Sequence, residues 1–336
     1  MAGIYNTDQS AMLKIQEVGD TIFVAESTKT PFSRLLKRGK KPVQELCQWP
    51  VQKYPDRAFT GTLDGADVSS YTHTSREYME AYCMILRTAG WQVTQLAGLT
   101  RTAGVKDEKA KQKADDALIL AQMIEKQLLS SVDTQAESGS DPYQSRGVFS
   151  WLNSSAQSNK PVPANYRPDS ACHYTSAVAS YTPENMATQL AAMADAKKGP
   201  VTLTMFAGLT LKSTMSTWPQ RQFGDDNVAK SLVNFTIDAE KKKFMQIVDL
   251  FQFDAGTVDV VPSWYLLATE ATGAASAYSA KSGAMLDLSM WELCFLQAPQ
   301  SKENPDLGGG PRGYHDAVYI LKCLNPLGQG YVLTNS

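Results

Sequence analysis

Residues 105–131 read VKDEKAKQKADDALILAQMIEKQLLSS, and the fold follows from how this stretch is built. Ala110, Ala114, Ala117, Ala121, Ile124 and Leu128 recur at steps of four, three, four, three and four, the spacing of one face of a helix. That stripe is narrow and mostly alanine. Small side chains let a helix lie close to a flat partner, so the expected packing is on a sheet rather than in a thick helical bundle. The first half carries Lys106, Asp107, Glu108, Lys109, Lys111, Lys113, Asp115 and Asp116, with Asp107 placed to pair with Lys111 along the surface. Solvent is expected on this half. Leu118, Ile119, Leu120 and Met123 point around the whole axis, so the second half is expected to be covered on several sides. At roughly 1.5 Å per residue the helix runs about 40 Å, the length of a spine.

Ahead of the spine, residues 45–54 alternate as a strand with Leu46, Trp49 and Val51, and residues 78–93 form a second extended run with Tyr82, Met84, Leu86, Trp91 and Val93. The Gly-bearing stretch 60–70 between them makes the whole a long two-stranded ribbon. Such a ribbon is marginal in water by itself and needs a partner surface, which another subunit can supply. Residues 1–41 form a thin arm whose scattered Leu13, Ile15, Val18, Ile22 and Phe23 must lie on something. The arm ends in Arg34, Lys37, Arg38, Lys40 and Lys41, a basic turn that is either solvated or in contact with acidic partners or packaged nucleic acid.

Behind the spine, a loop at 138–146 and the breaks at Pro161, Pro163 and Pro168 leave little room for regular structure. Residues 183–197 predict a second helix, with Pro183 in its first turn, Met186, Leu190 and Met193 on one side, and Gly199-Pro200 ending it. Strands are expected at 201–206, 233–237, 244–253 and 258–261, the middle two as a hairpin about the turn 240–243. Apolar runs at 285–296 and 317–324 follow, then the Asn325-Pro326 turn and a closing strand at 331–333. The class is α+β rather than alternating βαβ.

A chain of 336 residues with 43% hydrophobic and 20% charged residues buries a proper core. Its formal net charge of -2 argues against a dedicated nucleic-acid binder, which needs local excess of Lys and Arg. The cysteines Cys47, Cys83, Cys172, Cys294 and Cys323 are scattered and odd in number, as expected of reduced, buried thiols. Residues 1–10 lack the features of a signal peptide, and no apolar run is long enough to span a membrane.

The search for chemistry returns little. Gly308, Gly310 and Gly313 match G-x-G-x-x-G but follow Asn304-Pro305-Asp306 and lead into a strand, the wrong context for a phosphate loop. His73, His173 and His315 have no second ligand at metal spacing, and Cys172 beside His173 points elsewhere as neighbours usually do. Acidic pairs such as Asp115-Asp116 and Asp225-Asp226 have no third group to tune them, so no catalytic residue, metal or cofactor is expected.

Taken in order, arm, ribbon, spine helix, proline-broken connection, strand-rich region and closing strand resemble the major capsid protein of tailed bacteriophages, the Hong Kong 97-type fold. Thr30-Pro31-Phe32, Leu35-Leu36, Gly39 and Trp49 resemble the arm of one branch. Trp91-Gln92-Val93, Gly104, Ile124-Glu125, Leu128-Leu129 and Arg146-Gly147 are similar to its core, and residues 253–264, Leu286-Asp287, Trp291 and Asn325-Pro326 to its later strands. The resemblance implies an N-arm at 1–44, an extended loop at 45–100, a peripheral domain at 101–182, an axial domain at 183–300 and return strands at 301–336. It implies a structural virion protein, not an enzyme, assembling as hexamers and pentamers into an icosahedral head around double-stranded DNA held non-specifically. A separate scaffolding protein, a portal and a decoration protein are the partners it implies, with synthesis in the bacterial cytoplasm. Arg34, Lys37, Arg38, Trp49, Tyr54, Tyr71 and Tyr78 are the expected intersubunit contacts. An encapsulin-type cellular shell and, remotely, a hydrolase with an unrecognised site are the rival readings.

Overall fold

The computed structural model describes residues 29–54, 59, 61–68, 71, 74, 76–100, 105, 107–221, 236–238, 243–245, 249–267 and 281–333. The expectations for residues 1–28, Lys106, His73, Asp225-Asp226 and residues 233–235 lie outside them. In chain order the elements begin with α1 (Pro31–Leu35), β1 (Lys37–Arg38), β2 (Leu46–Gln52), β3 (Arg76–Tyr82), β4 (Met84–Arg87), β5 (Trp91–Gln92) and α2 (Gln95–Leu99). Then come α3 (Glu108–Leu128), α4 (Val148–Leu152), α5 (Pro183–Lys197), β6 (Val201–Ala207), α6 (Leu209–Arg221), β7 (Thr236–Asp238) and β8 (Lys243–Met245). The chain closes with β9 (Leu250–Phe253), β10 (Gly256–Pro262), β11 (Gly283–Leu286), β12 (Trp291–Asn304), β13 (Arg312–Cys323) and β14 (Gly330–Val332). One compact unit takes in Arg87–Ile119 and Ser301–His315; a larger one takes in Thr30–Leu86, Leu120–Gln300 and Asp316–Ser336.

In the larger unit, β14, β11, β6, β10 and β9 make a mixed sheet, in that order. β6 and β10 run parallel from Val201 beside Gly256 to Ala207 beside Pro262, and the other pairs are antiparallel. α5 has the predicted bounds. The Thr182 hydroxyl accepts from the Asn185 N–H (3.4 Å), Pro183 opens the first turn, and Lys198 in the left-handed region closes the last. Its Met186, Leu190 and Met193 are buried with Val201, Leu203, Met205, Val258 and Val260 in one core. α6 is in the same core and was not expected from the sequence. Leu211, Met215 and Trp218 repeat at helical spacing and are buried, but Thr210, Ser213, Thr214, Ser216 and Thr217 weaken the helical propensity around them.

A second core of this unit gathers Phe32, Trp49, Met79, Leu120, Ile124, Leu128, Trp151, Trp291 and Tyr319. Glu125, fully buried there, fixes α1: its two carboxylate oxygens accept from the backbone N–H groups of Phe32 and Ser33, each at 2.7 Å. Burial pushes the Glu125 pKa up against the pull of these bonds. Arg146, also fully buried, stacks over Trp151 (4.6 Å), gives its Nε–H to Asp133 (2.9 Å) and its Nη2 to the carbonyls of Asn159 and Lys160. Asp133 Oδ2 then accepts from the N–H groups of Ser158 and Asn159 (2.7 and 2.9 Å), so one ion pair organises the proline-broken connection. Gly147 is needed beside it, because a Cβ there would strike the Ser130 carbonyl.

The spine helix departs from the sequence reading in detail. It spans Glu108–Leu128 rather than 105–131, with Asp107 Oδ1 accepting from the Ala110 N–H (3.2 Å) as a cap. Lys111 therefore pairs forward with Asp115 (2.6 Å), not back with Asp107. Ala110, Ala114 and Ala117 are exposed, and the buried side is Asp116, Leu120, Ile124, Gln127 and Leu128. Leu118 and Ile119 are also exposed, so covering on several sides begins only at Leu120. In the smaller unit Asp116 Oδ2 meets His315 Nδ1 on β13 (2.7 Å), and in the larger one the Tyr319 hydroxyl of β13 donates to Gln127 Oε1 (3.1 Å). The helix does lie on a strand, through polar side chains rather than alanines.

Candidate subunit interface

β2 and β3 pair antiparallel from Leu46 beside Tyr82 to Gln52 beside Arg76. Alternation puts Cys47, Trp49 and Val51 of β2, with Met79 and Ala81 of β3, on one buried face. The opposite face carries Gln48, bonded to Glu80 (2.8 Å), and Tyr78, which is exposed. The expected ribbon is present over these residues only: β4 and β5, expected to continue its second strand to Val93, pair with β13 instead. Its described crest is different in character: Tyr54 is 68% exposed, Phe59 99%, Leu63 85%, Val68 66% and Tyr71 87%. Six large apolar side chains from Tyr54 to Tyr78 are thus exposed among the described residues. Monomeric proteins rarely leave so much apolar surface along one segment, and when they do it marks a contact site.

Arg34, Lys37 and Arg38 are exposed as well. Arg34 ends α1; Lys37 lies 3.5 Å from Glu292 in a pair too solvated to matter much, and Arg38 sits 4.9 Å over the Phe295 ring. Trp49 is placed differently from the other six expected contacts. It is 8% exposed, donates its Nε1–H to the Cys323 carbonyl (3.1 Å), and packs against Trp151 with Lys322 over its ring. It holds the foot of the ribbon to the core. The smaller unit has its own exposed apolar residues: Leu96, Leu99 and Leu307, which the sequence did not single out, and Leu118 and Ile119, which were expected to be covered.

The arrangements that resemble chemistry are structural. His315 Nδ1 and the Thr88 hydroxyl (2.6 Å) both bond Asp116 Oδ2, and the His315 N–H donates back to Thr88 Oγ1 (3.0 Å), which closes a buried knot. The Thr88 hydroxyl is itself buried within this knot. His173 stacks on Tyr331 at 4.0 Å, and burial lowers its pKa to about 4. The glycine loop joins β12 to β13, and Asp306 Oδ1 accepts from the N–H groups of Gly308 and Gly310 (2.8 and 3.0 Å), donors a phosphate would need. Among the described residues no group of three His, Cys, Asp or Glu side chains is placed to hold a metal, and no helix is long and apolar enough to cross a membrane.

Residues 3–332 match the model of the family described as SU10 major capsid protein. No curated protein matches the sequence. Among solved structures, the capsid of the cyanophage P-SCSP1u aligns with a TM-score of 0.60 at 14% identity, covering 99% of this chain and 96% of the other. The cyanophage Pam1 capsid aligns at 0.59 and 11% identity over 99% of each chain, and the mature capsid of bacteriophage PhiM1 at 0.58 and 11% over 96% of this chain and 92% of that one. At such identities the likeness is one of fold.

Proposed function

The chain belongs to the SU10 major capsid protein family, a structural protein of the phage head shell and not an enzyme, and from that premise we propose that residues 54–78 clamp each subunit to its neighbour. The observation that carries this reading is the crest itself: Tyr54, Phe59, Leu63, Val68, Tyr71 and Tyr78 exposed on a two-stranded ribbon whose foot is held by Trp49. Burying such side chains on a second copy contributes roughly 1.5–3 kcal/mol each, far more than a solvated ribbon gains alone. Arg34, Lys37 and Arg38 supply a polar rim to the same kind of contact.

In this reading the shell follows the Hong Kong 97 plan. Residues 1–44 are the N-arm, 45–100 the extended loop, 101–182 the peripheral domain, 183–300 the axial domain around the capsomer axis, and 301–336 the return strands. The subunits close as hexamers and pentamers, packaged DNA is held non-specifically, and scaffolding, portal and decoration proteins complete the head assembled in the bacterial cytoplasm. The encapsulin and hydrolase readings have no support in the family match or in the structural neighbours.

The test is to express the chain with residues 60–70 deleted beside the intact chain, and to compare both by light scattering and negative-stain electron microscopy. Intact chain forming shells, tubes or capsomers while the deleted chain stays a folded monomer is the expected result. Shells of normal stability from the deleted chain refute the clamp.

A further inference from the structure

Two thiols meet at the foot of the ribbon. Cys47 lies in β2 opposite Ala81, and Cys83 follows the end of β3, on the same face one step along, so that their Sγ atoms are 3.7 Å apart. Both are buried, and both also face the Gln44 carbonyl, at 3.6 and 3.7 Å. A disulfide requires the sulfurs to close to about 2.05 Å. Cys83 sits in the one-residue break between β3 and β4, where its N–H donates to the Glu45 carbonyl (2.8 Å), and closing the bond requires a shift at this break. Cys294, the third thiol of this neighbourhood, packs instead against Gly39, and Cys172 and Cys323 are buried elsewhere.

We propose that Cys47 and Cys83 form a reversible intrachain disulfide when the protein meets a small peroxide, fastening the base of the ribbon. The chemistry needs one thiolate and one nearby thiol. Cys47 is suited to the first role: the hydrogen bond from Cys83 and the charge of Lys322 outweigh burial and bring its pKa to about 7, while that of Cys83 is raised. The Cys47 thiolate attacks one oxygen of hydrogen peroxide and the O–O bond breaks, giving a sulfenic acid and, after protonation, one water. Cys83 sulfur then attacks the Cys47 sulfur and expels hydroxide, which takes the Cys83 proton and leaves as a second water. Two thiols and one peroxide thus become one disulfide and two waters. The proposal does not depend on the clamp: the ring closes within a single chain.

The purified full chain is treated with hydrogen peroxide, its remaining thiols are alkylated, and the non-reduced digest is mapped by mass spectrometry. The expected product is a linked pair of peptides carrying Cys47 and Cys83, lighter by two hydrogen atoms and released by a thiol reductant. Cys47→Ser and Cys83→Ser each abolish it, and Cys172→Ser does not. The linked chain melts about 3–6 °C higher, since the bond constrains the unfolded chain. Cys47 oxidised to sulfinic acid beside an intact Cys83 thiol overturns the proposal, as does a link to Cys294. So does retention of both thiols at a dose that oxidises exposed methionines. The wild-type map decides the matter even if a serine variant fails to fold.

Discussion

Replacing Arg146 by Met tests whether one buried ion pair holds the connection behind the spine helix. The substitution keeps an unbranched side chain against Trp151 but removes the bond to Asp133 and the donors to the Asn159 and Lys160 carbonyls. Removing one partner of a buried pair costs about 3–5 kcal/mol. Here the lower end applies, because Asp133 keeps the backbone N–H bonds of Thr134, Ser158 and Asn159, and because Arg146 Nη1 has no partner to lose. A loss of about 3 kcal/mol, with a urea slope of about 3 kcal/mol per molar, moves the unfolding midpoint of unassembled subunits down by about 1 M. Arg146→Lys keeps the charge but reaches only one of the three acceptors, and falls between wild type and Met. The double variant Arg146→Met with Asp133→Asn loses less than the two single losses added together, since each leaves the other's partner stranded. A Met variant within about 0.3 M of wild type, or strict additivity in the double variant, refutes the reasoning.

Glu125→Ala strands the Phe32 and Ser33 N–H groups at a net cost of about 2 kcal/mol, so trypsin cuts after Arg34 about 30-fold faster while the core stays folded; unchanged cleavage shows that α1 is held by Phe32 alone. His173 has a folded pKa of about 4 against an ordinary 6.5, so its contribution to stability is full above 6.5 and is lost as pH falls toward 4. That gap corresponds to at most about 3 kcal/mol, and His173→Phe, which keeps the stack on Tyr331, flattens this part of the profile in urea titrations at about pH 7 and about pH 4.5. An equally steep loss in the variant removes His173 as the cause. Tyr54→Ser with Tyr71→Ser leaves the unfolding of free subunits within about 0.5 kcal/mol but lowers the yield and melting temperature of assembled shells; shells that match wild type exclude these tyrosines from the contact.

How legible the fold was in the sequence depended on whether its cause was local. α5 has the predicted ends because its start and stop are written in Thr182, Pro183 and Lys198-Gly199, within a turn of the helix they bound. The ribbon was readable because burial alternates along β2 as it does in the sequence. The buried side of the spine helix was not. Its alanines invited packing, yet the face that packs holds Asp116 and Gln127, whose partners His315 and Tyr319 are almost 200 positions away, and no local pattern announces them. Trp49 shows the same limit: the sequence offers an aromatic in an extended run, and only the carbonyl of Cys323 decides that it faces inward.

Irregular segments of this chain are held by polar side chains: buried Glu125 on α1, buried Arg146 with half-buried Asp133 on the proline-broken connection, and exposed Asp306 on the glycine loop. Large apolar side chains, by contrast, are left outside on the ribbon crest. For an enzyme the opposite division is expected, with polar groups gathered unpaired in a pocket and apolar ones withdrawn. A shell subunit needs rigid connections, because its contacts must repeat with one geometry around a closed surface, and it needs apolar surface that stays unsatisfied until a neighbour arrives. In the proposed clamp the crest meets the second need, and the buried ion pair the first. Loosening Arg146 is therefore expected to broaden the range of particle sizes even where subunits still associate, whereas removing the crest tyrosines is expected to lower the yield of particles without broadening their size. Electron micrographs of the two variants, scored for diameter and for number, separate these effects; a crest variant with scattered diameters and normal yield would show that the ribbon sets curvature rather than affinity.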